Sequence, residues 1–122
     1  MTPVRIIFVY GTLKRGGSNH HFLAGQKFIG EARTAAGFRL YDLGGHPGMV
    51  TQPDDTAGVV GEIWEVAADA LVQLDALEGL AEGMYRREPV PLLPPFADRG
   101  IEAYFYPHDI AGRREVGSVW RG

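Results

Sequence analysis

Two places in this 122-residue chain combine residue types and spacing that could do chemistry. The first is FVYGTLKRGG, Phe8 to Gly17, where an apolar, β-prone run stops at Gly11 and is followed by Thr12 and Leu13. At a strand's end no ladder partner need claim the next N–H groups, and successive backbone donors of that kind can cradle an anion. The second is Glu78, in LDALEG near the end of a helical pattern. It follows Leu74 by one turn and Leu71 by two, which sets it roughly 30° from the centre of the apolar stripe. On helix geometry alone such a glutamate either frays to water or enters a pocket. In a pocket, partial burial raises its pKa and fits it for general acid–base work near neutral pH. Asp75 lies nearer the edge of the stripe and reads as the solvated acid of the pair.

Other familiar chemistries are excluded. Gly11 to Ser18 spells G-T-L-K-R-G-G-S, but Gly17 stands where a phosphate-binding loop needs its lysine, so nucleotide hydrolysis is rejected. There is no cysteine, hence no thiolate nucleophile, disulfide or sulfur-ligated metal. His20, His21, His46 and His108 lack ligand spacing with one another or with acids, so neither a metal nor an organic cofactor is expected. His46, between glycines and Pro47, reads as a solvated turn residue. The net charge of −3, with Lys and Arg scattered, leaves no footprint for nucleic acid. No apolar run is long enough to span a bilayer and no export signal precedes the first strand, so the expectation is a cytoplasmic protein with no membrane partner.

The elements that must position these residues are short. Residues 4–10 alternate with apolar side chains on both faces, as in a central strand covered on two sides. Ser18 is placed to cap a short helix over 19–24, ended by Gly25. Residues 27–43 read as one or two strands with bends or bulges at Gly30 and Gly37, and Leu43 to Gly48 as a tight glycine turn. A polar turn covers 51–56, a strand 58–66, and the one strong helix 67–78, with Gly79 as its C-cap. Residues 84–93, frayed by Pro89 and Pro91, suit an edge strand; 100–107 form the last strand, and Val116, Val119 and Trp120 anchor a polar tail. At 45% apolar composition the chain makes one domain, 1–122, with its own core. Short strands, glycine and proline turns and one main helix predict an α+β fold, a small mixed β-barrel with short peripheral helices.

Taken in order, VYGTLKRG with Asn19-His20, the turn at Pro47, VVGEIWEV, LDALEG, Tyr85-Arg86-Arg87 and the closing Val116 to Trp120 resemble the gamma-glutamylcyclotransferase-like family, most of all gamma-glutamylamine cyclotransferase and its small bacterial relatives. The family often has Gly-Asp-Trp where this chain has Ser118-Val119-Trp120. The resemblance implies a mixed α/β barrel whose Y-G-T/S-L loop holds the substrate. It also implies that Glu78 is the acid–base catalyst in cyclisation of a γ-glutamyl amine or peptide to 5-oxoproline. The N–H groups of Gly11, Thr12 and Leu13 would then hold either the substrate's α-carboxylate or the developing oxyanion. Tyr10 and Tyr85 would either wall the pocket and donate hydrogen bonds or simply pack in the core. Two other readings stand beside this one. The first is a small-molecule binding or regulatory module on the same fold, and the second is amide hydrolysis by water activated at the same carboxylate.

Overall fold

A computed structural model describes residues 4–121. Its first strand, β1 (Val4–Val9), lies in the middle of an eight-stranded mixed sheet, as the two-sided apolar pattern requires. The others are β2 (Lys27–Arg33), β3 (Phe38–Asp42), β4 (Pro47–Thr51), β5 (Val60–Ala67), β6 (Arg86–Pro89), β7 (Glu102–Phe105) and β8 (Arg114–Gly117). Among the described residues a single α-helix, α1 (Ala68–Leu77), follows β5, and His20–Leu23 form a 3₁₀ helix. The sheet runs β2-β5-β1-β7-β4-β3-β8, with β6 paired on the outer side of β7. It curls on itself, and a backbone bond from Val60 N–H to the Ser118 carbonyl draws the segment after β8 against the start of β5.

Strand alternation divides the core in two. Phe8 and Tyr10 point inward to Leu40, Met49, Ile63, Ala103 and Trp120, while Ile7 and Val9 point outward beneath α1 and meet Trp64, Val66, Leu71 and Leu74. The helical stripe expected at Leu71 and Leu74 is therefore buried against the outer face of the sheet.

The central feature is a split. β6 pairs along Glu102 to Phe105, so β7 has only its opposite edge left for parallel partners. β1 occupies that edge at Glu102 and Ala103, and β4 takes it over at Phe105. Past Phe8 the chain must therefore leave β7, and the loop after β1 opens above the divergence.

Several boundaries differ from the sequence reading. Residues 27–43 resolve into two strands, with a register shift between Phe28 and Gly30 that marks the expected bulge. β4 and β8 were hidden: β4 holds Pro47 and Gly48, which read as turn residues, and β8 is polar because it is itself an edge strand, paired only with β3. Ser18 is not the cap of the short helix. Asn19 occupies that position, the helix is one 3₁₀ turn, and the Asn19 amide is drawn instead to Thr12 Oγ1 at 3.0 Å. Among the described residues no helix is long and apolar enough to cross a membrane.

Candidate active site

Where β1 departs from β7, a cavity of about 310 Å³ opens between the loop after β1, the β3–β4 turn and the end of α1. Tyr10, Gly11, Thr12, Leu13, Glu78 and Tyr85 all line it, so the loop after β1 and two residues more than sixty positions further along the chain share one hollow. The cavity is also lined by Asn19, His46, Pro47, Leu77, Met84 and Tyr104, which the sequence did not single out as site residues. His46 stands in the wall partly buried, not in open solvent. The nearest sequence signal for it was the glycine turn itself, whose composition fits a turn at a site as well as one in solvent.

Glu78 is the C-cap residue of α1. The Gly79 N–H donates to the Ala76 carbonyl at 3.1 Å and the Leu80 N–H to the Asp75 carbonyl at 3.1 Å, the paired bonds of a Schellman ending. Gly79 supplies the left-handed backbone at φ +64°. The last turn is thus locked and does not fray, and Glu78 projects into the cavity. Among the described residues its carboxylate has no ion-pair or hydrogen-bond partner. Burial without compensation raises its pKa from 4.5 to about 7.

The other two carboxylates of interest are occupied. Asp75 accepts a bidentate pair from Arg87 (Nε and Nη2, both 3.0 Å) and the Tyr104 hydroxyl at 2.7 Å, which corrects its reading as a solvated acid. Glu62 is buried and accepts from Arg15 N–H, Arg15 Nε and Trp64 Nε1. Its work is to brace the loop, since Arg15 belongs to the segment it holds.

That loop is built to present backbone. Leu13 is 4% exposed and pins it into the outer core, and Asn19 closes it by donating its N–H to the Thr12 carbonyl at 2.9 Å. Among the described residues the N–H groups of Gly11, Thr12 and Leu13 have no acceptor. Gly11 is glycine because Pro47 packs against it: a Cβ there would stand 2.6 Å from Pro47 Cγ.

Both tyrosine hydroxyls are spent on the protein. Tyr10 donates to the Tyr104 carbonyl at 2.6 Å and accepts from Met49 N–H at 3.1 Å, which bridges β7 and β4 at the split. Tyr85 donates to the Pro47 carbonyl at 2.8 Å. Burial holds both phenols, and that of Tyr104, above the usual tyrosine range, so all three stay protonated at neutral pH and none serves as a base there.

The chain as a whole has known relatives. The profile of the family described as gamma-glutamyl cyclotransferase, AIG2-like, matches residues 7–121. The chain belongs to that family. A relative in Vibrio cholerae serotype O1 is 38% identical over 103 residues, covering 84% of each chain. The gamma-glutamylaminecyclotransferase of Rattus norvegicus is 41% identical over 88 residues, 66% of this chain and 58% of that protein. Among solved structures, an AIG2-like protein from Mus musculus superposes with a TM-score of 0.73 at 30% identity, over 85% of this chain and 78% of that one. The α+β fold of a curled mixed sheet with one helix is the fold of these family members.

Proposed function

We propose that this protein is a cyclotransferase acting on a γ-glutamyl amine or peptide, with Glu78 as general acid–base. The observation that carries the reading is the desolvated, unpaired Glu78 carboxylate, which shares a cavity with three unclaimed backbone N–H groups. Support also comes from the family and from the similarity to the rat gamma-glutamylaminecyclotransferase.

The chemistry needs little else. The α-amine of a γ-glutamyl amide attacks its own γ-carbonyl carbon, so a new C–N bond closes the five-membered lactam as the C–N bond to the departing amine breaks. Glu78 accepts the proton that the attacking nitrogen sheds and returns one to the leaving nitrogen, and no water or co-reactant enters. Folding the substrate against the walls of Tyr10 and Tyr85 supplies proximity, for which effective molarities on the order of 10⁵ M or more are available. The N–H groups of Gly11, Thr12 and Leu13 hold an anionic oxygen of the substrate. A carboxylate whose pKa is near 7 is matched to both halves of this proton cycle at neutral pH. A cytoplasmic setting belongs to the same reading.

Incubation with a panel of γ-glutamyl amines and peptides, followed by mass spectrometry, tests it. Stoichiometric 5-oxoproline and free amine are expected. Free glutamate in place of 5-oxoproline would identify hydrolysis and overturn cyclotransfer, and binding without any product would reduce the protein to a binding module.

A further inference from the structure

The cavity does not end at the loop. Past Gly11, Thr12, Ser18 and Gly45, which line both spaces, it continues into a groove of about 590 Å³ walled by Lys14, Arg15, Trp120 and Arg121. Among the described residues no acid lines this groove, whereas Glu78 lies in the first cavity.

Its three cations are not equivalent. Arg15 is consumed: its Nε pairs with Glu62 at 3.0 Å, its Nη2 reaches Glu31 at 3.4 Å, and its guanidinium lies 3.9 Å over the Phe28 ring. Lys14 and Arg121 have no carboxylate partner among the described residues. The Lys14 ammonium donates to the Trp120 carbonyl at 2.8 Å, a neutral acceptor that takes one of its three protons and none of its charge. Burial holds Lys14 below the usual lysine range; the nearby charges of Glu62 and Glu31 oppose that shift and Arg121 adds to it. In a chain with fifteen acids and twelve Lys and Arg residues, two neighbouring cations with no carboxylate at ion-pair distance among the described residues, one of them partly desolvated, form an incomplete arrangement.

We propose that this groove is the subsite for the departing amine, and that Lys14 and Arg121 select leaving groups that bear a carboxylate. The proposal rests on the cyclotransferase reading. The γ-glutamyl half is then held in the first cavity, beside Glu78 and the backbone donors. The scissile bond crosses the Gly11–Thr12 rim, and the carboxylate of the leaving half completes the pairing of Lys14 and Arg121. Lys14 also ties the loop after β1 to the C-terminal segment through Trp120, so the groove is held open before substrate arrives.

The test uses matched pairs: γ-glutamyl derivatives of ω-amino acids of increasing length, each compared with its carboxamide. The parent enzyme should prefer the carboxylate by about tenfold or more in kcat/KM at one or more lengths, expressed mainly in KM, as a charge-assisted pair would give. The preference should shrink at high salt. Lys14→Met and Arg121→Gln should each erode it by lowering kcat/KM for the carboxylates more than for the carboxamides, and Lys14→Arg should keep it. Arg121→Gln guards against a Lys14 variant that merely loosens the loop. Equal kcat/KM for both members of every pair, with 5-oxoproline still formed, overturns the subsite and leaves the cyclotransferase reading intact. If no compound is turned over, that reading fails. The subsite is then judged by calorimetric binding of the same pairs to the parent protein, and equal or absent binding overturns it as well.

Discussion

Glu78 is the residue on which the chemistry turns, and its charge has a calculable effect on the fold. A carboxyl group whose pKa rises from 4.5 unfolded to about 7 folded prefers to be protonated in the native state. Its cost is therefore absent below about pH 4.5, grows between there and pH 7, and is constant above. The gap corresponds to roughly 3 kcal/mol before solvent screening of this partly exposed group. Glu78→Gln should thus raise the thermal midpoint by more at pH 8 than at pH 5, while 5-oxoproline formation falls by about 10²–10⁴. In the parent, kcat/KM should lose activity as pH falls through about 7, and the variant's residual activity should lack that limb. The exposed Glu82 supplies the control, since Glu82→Gln should change neither property. Near-parental turnover by Glu78→Gln would refute the assigned role, and Glu62 is a poor replacement, being already committed to Arg15 and Trp64. Gly11 makes a second prediction at this scale. Gly11→Ala drives a Cβ into the Pro47 ring and should cost about 1–3 kcal/mol by overpacking, together with substrate affinity. Thermal melts and KM read both losses, and adding Pro47→Ala should recover part of each.

At the scale of the element, the last turn of α1 is held from two directions. The Schellman ending fixes its backbone, and the Arg87 fork from β6 holds Asp75, one turn before Glu78, against the sheet. Gly79→Ala forces a side chain into a left-handed conformation and brings its Cβ to 3.0 Å from Met84 Sδ, another cavity residue. It should cost about 1 kcal/mol or more in denaturant melts and lower kcat more than it raises KM, because Glu78 is aimed by that turn. Asp75→Asn cannot receive the Arg87 pair as a charge and leaves the Tyr104 hydroxyl competing for one carbonyl oxygen. A loss of about 2 kcal/mol is expected, with turnover reduced and the pH limb of kcat/KM retained, since the proton carrier is untouched. A pH limb abolished by Asp75→Asn would transfer the acid–base role to Asp75.

Across the whole molecule, the cavity exists because two strands share one edge of β7, and the Tyr10 hydroxyl fills the hydrogen-bonding gap between them. Tyr10→Phe leaves Met49 N–H and the Tyr104 carbonyl unpaired and buried, at a cost of about 1–3 kcal/mol. Stability and substrate affinity should fall together, and unchanged affinity would show that the split does not shape the cavity. How far this was legible beforehand follows from the range of the interactions. Local pattern determined β1, β5, β7 and α1, because alternation and the 3.6-residue period are written in adjacent side chains. It also marked Gly11 through the break at the strand's end and Glu78 through its place by the apolar stripe, with Tyr85 added by motif resemblance, and left open whether Glu78 meets water or a pocket. Sequence alone did not reveal β4 and β8, whose strand character comes from a partner edge and not from their own residues. The pairing of Asp75 with Arg87, of Glu62 with Arg15, and of the tyrosine hydroxyls with distant carbonyls was equally invisible. Desolvation and hydrogen bonding depend on what stands within a few ångströms, and only the tertiary structure brings those groups together. That is why the fate of each carboxylate, one bare in a cavity and two neutralised in braces, was decided by the fold.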